Sequence, residues 1–162
     1  MDRLLPKATR LGAALCARNE TLAVAESSVG GLVSAALLSV PGASAYFLGG
    51  AVVYTAAARS ALLGLDEAAM TGLRSASEDY ARLLARAVRA RHGATWGIAE
   101  TGAAGPSGNR YGDAAGHTCL AVWGPGALCA TIATGGTARV ANMRIFALGL
   151  LDLLGDALAD RR

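Results

Sequence analysis

Three places in this chain bring hydroxyl, carboxylate and main-chain amide groups close enough for chemistry: Glu26-Ser27-Ser28, Tyr54-Thr55, and Glu100-Thr101, which opens the run ETGAAGPSGN. A serine hydroxyl attacks a carbonyl only once a neighbouring base removes its proton, so a nucleophile reading of Ser27 needs a base beside it. Glycine-rich turns expose backbone N–H groups that suit an oxyanion or a phosphate. A second turn of this kind, TGGT at Thr134 to Thr137, stands at the start of a helical pattern, where the helix N-terminus favours an anion. Neither turn matches GxGxxG or a Walker A loop, and an ordinary turn is the competing reading of each.

The elements that must position these groups follow from periodicity. Leu4, Leu5, Ala8, Leu11, Ala14 and Leu15 recur at three- and four-residue intervals and predict an amphipathic helix over Leu4 to Arg18. Thr21 to Ala25 reads as a buried strand with Glu26, Ser27 and Ser28 at its C-terminal end, before a helix over Leu32 to Val40 that Pro41 and Gly42 stop. A strand at about Ala51 to Tyr54 precedes a helix over Ala56 to Leu63 closed by Gly64. Ser75 with Glu78 has the spacing of a capping box for a helix running to His92 and Gly93. Thr95 to Ala99 is a third strand, followed by a loop over Thr101 to Gly116. Thr118 to Trp123 and Leu128 to Ala133 form a hairpin across Gly124, Pro125 and Gly126. A last helix over Ala138 to Leu158 carries Val140, Met143, Ala147, Leu150, Leu151, Leu154 and Leu158 on one face.

Strands that alternate with helices pair in parallel through crossovers, and the late hairpin adds antiparallel neighbours. The expected fold is α/β: a three-layer α/β/α sandwich with a mixed, mostly parallel sheet, in one domain over residues 1–162. Ligands in such sheets collect beyond the carboxyl ends of the strands, which is where the three candidate groups fall.

Composition narrows the function. The chain has 162 residues, 53% hydrophobic and 17% charged, too apolar for disorder. Its net charge of +3 is spread over dispersed arginines with no basic run, so nucleic acid is not an expected partner. Between Glu26 and Arg59 no charge occurs, yet Pro41, Gly42, Gly49 and Gly50 cut that stretch short of a membrane span, and it reads as buried core. Cys16, Cys119 and Cys129 lack metal-ligand spacing with His92 and His117, so no metal is expected, and the cysteines read as small buried hydrophobes. The N-terminal MDRLLPKATR has no apolar signal core, and a cytoplasmic location is expected.

The stretch AESSVGGLVSAALLSVPGASAYFLGGAVVYTAAARSALLG, followed by ETGAAGP, resembles the C-terminal domain family of the competence-damage-inducible protein CinA over nearly the whole chain. Stand-alone members of that family are nicotinamide mononucleotide deamidases. The resemblance implies an α/β/α fold and an amidohydrolase, without metal or cofactor, that turns the carboxamide of this small nucleotide into a carboxylate and releases ammonia. It also implies a serine nucleophile and a lysine base, and it leaves a homo-oligomer open. The serine of the family's AESCTGG falls on Ser27, beside Gly30 and Gly31. The tyrosine and lysine of its YSNEAK fall on Tyr54 and Arg59. The second serine of GSSAWF falls on Ser44, and the hydroxyl residue of TGIAGP on Thr101, with Gly102 and Gly105 after it. The GDR loop, a phosphate contact in this scheme, falls on Gly135, Gly136 and Thr137.

Arg59 departs from that scheme. A guanidinium stays protonated far above neutral pH, so neutralising it at pH 7 costs about 8 kcal/mol before any proton moves. Lys7, the one lysine, sits on the first helix and is no substitute. Val29 and Thr137 also lack the hydroxyl and the guanidinium of their family counterparts, which leaves Arg139 to reach any phosphate. Glu100 replaces a small uncharged residue and is expected to repel a phosphate or to pair with Arg59.

Each residue has a plainer reading. Ser27 could cap the helix that follows it. Tyr54 could be a core aromatic, His92 a complement to its helix dipole, and His117 either a loop residue or the replacement base. Arg59 is expected to salt-bridge Glu26 or Glu100, with bidentate binding of a substrate carboxylate or phosphate as the alternative. Two functions stay open: a deamidase in which Ser27 attacks, and a non-catalytic relative that keeps a nucleotide-sized cleft.

Overall fold

The structure is a computed structural model that describes residues 1–160. Its elements are α1 (Leu4–Ala17), β1 (Leu22–Glu26), α2 (Leu32–Leu38), β2 (Phe47–Val52), α3 (Ala56–Leu63), α4 (Glu78–His92), β3 (Trp96–Ala103), β4 (His117–Trp123), β5 (Ala127–Ala133) and α5 (Arg139–Ala159). The strands form one sheet in the order β2-β1-β3-β4-β5. β1 runs parallel to both β2 and β3, while β4 runs antiparallel to both β3 and β5. The result is a mixed-sheet α/β/α sandwich, with α1, α2 and α5 on one face and α3 and α4 on the other.

Strand alternation decides which side chains meet which layer. Leu22 and Val24 of β1 and Trp96 and Ile98 of β3 enter the core shared with α1, α2 and α5. Ala23, Ala25 and Ala99 point the other way, where small side chains let α4 lie close to the sheet. Burying one of the large aliphatic chains contributes about 1.5 to 3 kcal/mol. The closest approach is at Gly97, where an added Cβ would overlap the Ala85 carbonyl oxygen of α4.

Local chemistry sets the ends of the helices around the site. Thr55 caps α3 by accepting from Ala58 N at 3.1 Å, and Gly64 closes it at a φ of 69°. α4 starts on Ser77, whose Oγ accepts from Tyr80 N at 3.2 Å, so the expected Ser75 cap is displaced by two residues. Glu78 and Asp79 in its first turn and Arg89, Arg91 and His92 in its last complement the helix dipole.

Two expected strand boundaries move, and the buried face of α5 changes. β2 begins at Phe47, ahead of the expected start at about Ala51, and includes Gly49 and Gly50. A Cβ on Gly49 would lie 2.7 Å from His92 Nε2, and one on Gly50 would overlap Ser34 Oγ, so both glycines admit a neighbouring side chain. β3 continues through Ala103, which places Thr101 and Gly102 in the sheet and not in the loop. On α5, Val140 is 57% exposed and leaves the apolar face, while polar Asn142 is buried. Among the described residues no helix is long and apolar enough to cross a membrane.

Candidate functional site

The carboxyl ends of β1 and β3 open on a cleft of about 590 Å³. β1 and β3 are in register at Glu26 and Glu100, so the next residues, Ser27 and Thr101, stand side by side. Alternation turns Ser27 and Thr101 to the α4 side, into the cleft, and both glutamates to the α2 side, into the protein. The same strand ends thus separate hydroxyl groups from carboxylates.

Glu100 is fully buried. Its Oε2 accepts from Ser27 N at 3.2 Å and Val29 N at 2.9 Å, and its Oε1 accepts from Thr118 Oγ1 at 2.9 Å and from the Ser28 hydroxyl. Burial pushes its carboxyl above the ordinary value, against four hydrogen bonds that pull it down. Glu26 accepts from Gly31 N at 2.8 Å, Val33 N at 3.1 Å and Ser34 N at 2.8 Å, closing the start of α2. Neither carboxylate meets Arg59, contrary to the sequence expectation. The turn between β1 and α2 gives its amide protons to these two side chains, so Gly30 and Gly31 do not line the cleft.

Arg59 does line the cleft, with its side chain 6% exposed. Gly64 reverses the chain after α3 and brings the following loop back over it. Arg59 Nε donates to Leu65 O at 3.0 Å and Nη2 donates to Glu67 Oε1 at 2.8 Å. Burial pulls the guanidinium down, but its hydrogen bonds and charge coupling to Tyr80 and Glu67 outweigh burial and hold it above its ordinary value. It is a permanent cation.

Ser27 Oγ has no hydrogen bond to any described residue and faces the cleft half-buried. Thr101 is buried, and its Oγ1 accepts from Ala76 N at 3.3 Å. Tyr54 is 60% exposed, so it is a wall of the cleft and not a core aromatic. Arg139 joins it to the glycine-rich loop, donating to Tyr54 Oη at 3.2 Å and to Gly105 O at 2.7 Å. These three residues, with Ser28, Gly102 and Asn109, line an adjoining recess of about 230 Å³.

Other expected positions lie elsewhere. Ser44 is exposed on the 3-10 turn Ala43–Ala45 and lines neither hollow. Gly135, Gly136 and Thr137 line neither; Asn142 Nδ2 donates to Gly136 O at 2.8 Å and Gly136 N donates to Thr134 Oγ1, so this turn is closed on itself. His117 is removed from Ser27, with Nε2 3.0 Å from Ala76 O. His92 Nδ1 lies 2.9 Å from Val88 O within its own helix. The three thiols are free, and Cys16 is exposed, unlike the buried hydrophobe expected there.

Sequence reasoning missed Glu67, Ser75, Tyr80, Arg110 and Tyr111, all of which line the cleft. Tyr80 and Ser75 come from the entry to α4, which periodicity reads only as a helix start. Arg110 and Tyr111 sit at the tip of the long loop, which Asp113 ties down: Arg74 donates to it at 2.6 and 3.2 Å and Asn109 Nδ2 at 2.8 Å. A tyrosine and an arginine inside a glycine-rich run were the available signal.

Comparison with known proteins agrees with this frame. The model of the CinA C-terminal domain family matches residues 5–158. A CinA-like protein of Synechococcus sp. (strain CC9902) is 43% identical over 105 residues, 65% of this chain and 25% of that protein. One from Gloeobacter violaceus is 41% identical over 119 residues, 74% of this chain and 28% of the relative. The chain thus spans about a quarter of the length of these curated relatives. Among solved structures, a competence/damage inducible protein of Agrobacterium tumefaciens superposes with a TM-score of 0.88 at 27% identity, covering 97% of this chain and 96% of that one. A CinA superfamily protein of Klebsiella pneumoniae 700603 gives 0.89 at 26% identity, covering 97% and 98%.

Proposed function

The chain belongs to the family of the CinA C-terminal domain, and we propose that it is a mononucleotide-binding member whose cleft keeps the nucleophile position but lacks the base for deamidation. The family resemblance suggests nicotinamide mononucleotide as the type of ligand. Hydrolysis of its carboxamide would need Ser27 Oγ to lose a proton, attack the carbonyl carbon and form a tetrahedral oxyanion, with ammonia leaving and water releasing the acid. Donors aimed at such an oxyanion are worth about 3 kcal/mol each.

The observation that carries the reading is the state of Arg59: it lines the cleft as a cation held by Glu67, Leu65 O and Tyr80, and it has no lone pair to offer Ser27. Ser27 Oγ touches no imidazole, amine or carboxylate among the described residues. Glu100 reaches Ser27 only through its main-chain N–H, and it occupies two of the amides that could have faced an oxyanion. What remains fits binding: hydroxyls at Ser27, Thr55, Ser75 and Thr101, rings at Tyr54, Tyr80 and Tyr111, and exposed cations at Arg110 and Arg139 near the mouth. Rings offer a face for a pyridine, and surface arginines offer charge to a phosphate.

One feature favours the deamidase reading instead: Ser27, Tyr54 and Thr101 share one cleft. The test is titration of the purified chain with nicotinamide mononucleotide while ammonia is followed. Saturable binding without ammonia release supports the binding module, ammonia release supports the deamidase, and absence of both removes the mononucleotide from consideration.

A further inference from the structure

Arg59 is the most deeply placed cation in the cleft, and its contacts leave part of it unspent. A guanidinium has five N–H donors in a planar fork. One goes from Nε to Leu65 O and one from Nη2 to Glu67 Oε1, with the Tyr80 hydroxyl coupled to the same fork. Even with one N–H given to Tyr80, the fork keeps donors to spare on a side chain that lines the cleft. Among the described residues the one carboxylate paired with it is Glu67, which is 84% exposed, so that pairing is screened by solvent and a desolvated anion in the cleft would add to it.

The rest of the wall narrows the kind of anion. Tyr54, Tyr80 and Tyr111 share the lining of the cleft with Arg59, while Arg110 and Arg139 are exposed. A phosphate dianion is costly to strip of water and suits the exposed arginines; a planar monoanion loses less and suits the buried one. A carboxylate offers two acceptors to the fork. A carboxamide offers one acceptor and an NH2 group that would meet N–H with N–H.

We propose that Arg59 is an acid-selecting anchor, and that the cleft takes an aromatic carboxylate, the pyridine-carboxylate form of the mononucleotide, in preference to the carboxamide. The proposal rests on the reading of the cleft as a mononucleotide site, and it makes the chain a binder of the acid that a deamidation reaction yields. Losing one charge-assisted hydrogen bond corresponds to on the order of 10- to 100-fold in affinity, which is the preference expected for acid over amide.

The test is calorimetric titration of the wild-type chain, Arg59→Lys and Arg59→Gln with nicotinate mononucleotide, nicotinamide mononucleotide and free nicotinate, with circular dichroism to show that each variant is folded. Wild type should prefer the acid mononucleotide at least tenfold. Arg59→Gln should abolish that preference by weakening the acid at least tenfold more than the amide, and Arg59→Lys, which keeps the charge without the fork, should retain only part of it. If Arg59→Gln does not fold, the partial loss in Arg59→Lys carries the test, and an unchanged preference there overturns the proposal. Equal binding of acid and amide by wild type overturns the proposal and leaves the mononucleotide reading standing. Equal weakening of both in Arg59→Gln puts the phosphate on Arg59, which also overturns it. If neither mononucleotide binds, that broader reading fails; nicotinate binding that Arg59→Gln abolishes would still uphold the anchor, and its absence would overturn it.

Discussion

Glu26 on β1 and Glu100 on β3 are register partners, both fully buried, and both accept hydrogen bonds from the turn between β1 and α2. Together they take the N–H groups of Ser27, Val29, Gly31, Val33 and Ser34. The main-chain amides of this turn, which could have faced a bound anion, are therefore taken by two of the protein's own carboxylates.

A pH dependence follows from Glu100. Burial raises its folded pKa, and the unfolded value is about 4.3. Between those values the native state binds more protons than the unfolded state, so stability falls as pH rises through the window and is highest, for this group, below it. Glu100→Gln should flatten that fall. Its amide oxygen can still accept from Ser27 N and Val29 N, and its NH2 can donate to the Ser28 and Thr118 hydroxyls. Urea midpoints of both proteins from about pH 4 to pH 8 measure the difference; parallel profiles would mean that Glu100 does not titrate differently on folding.

The long loop depends on Asp113. Arg74 holds its carboxyl below the ordinary range, so this ion pair contributes above the unfolded value of about 3.9 and is lost as pH falls through the lower folded one. Asp113→Asn should speed amide exchange over residues 105–116 and weaken mononucleotide binding on the order of 5-fold, with little change in global stability. Unchanged exchange in the loop would show that Arg74 does not hold it.

Gly97→Ala tests the packing of α4 on the sheet. The added methyl would meet the Ala85 carbonyl and the Arg89 side chain, so it should cost about 1 to 3 kcal/mol in urea unfolding. A neutral substitution would show that α4 can lift away freely.

Periodicity made the sandwich legible. α3 has the expected ends because Thr55 and Gly64 are explicit caps, and the β4-β5 hairpin is marked by its turn residues. β2 starts earlier than its sequence pattern suggests, because Gly49 and Gly50 look like breaks until His92 and Ser34 are seen pressing on them. The neighbourhood of Ser27, Tyr54 and Thr101 was readable from motifs at strand ends, while Ser44 and the Gly135 to Thr137 turn were carried along by the same motifs and lie apart from the cleft. The partner of Arg59 was not readable: the choice of Glu67 over Glu26 or Glu100 depends on strand alternation, which faces both buried glutamates away, and on the reversal at Gly64. Tyr80 and Tyr111 reach the cleft from distant elements, and spacing along the chain carries no trace of that meeting.

The decisive measurement is ammonia release from nicotinamide mononucleotide by the wild-type chain, Ser27→Ala and Arg59→Lys under identical conditions near neutral pH. With a cation where a base is needed, wild type should match Ser27→Ala at the background rate, and Arg59→Lys should show turnover that the double variant Ser27→Ala, Arg59→Lys lacks. Wild-type turnover of about 1 per second or more, in the ordinary enzyme range, abolished by Ser27→Ala, would contradict the account.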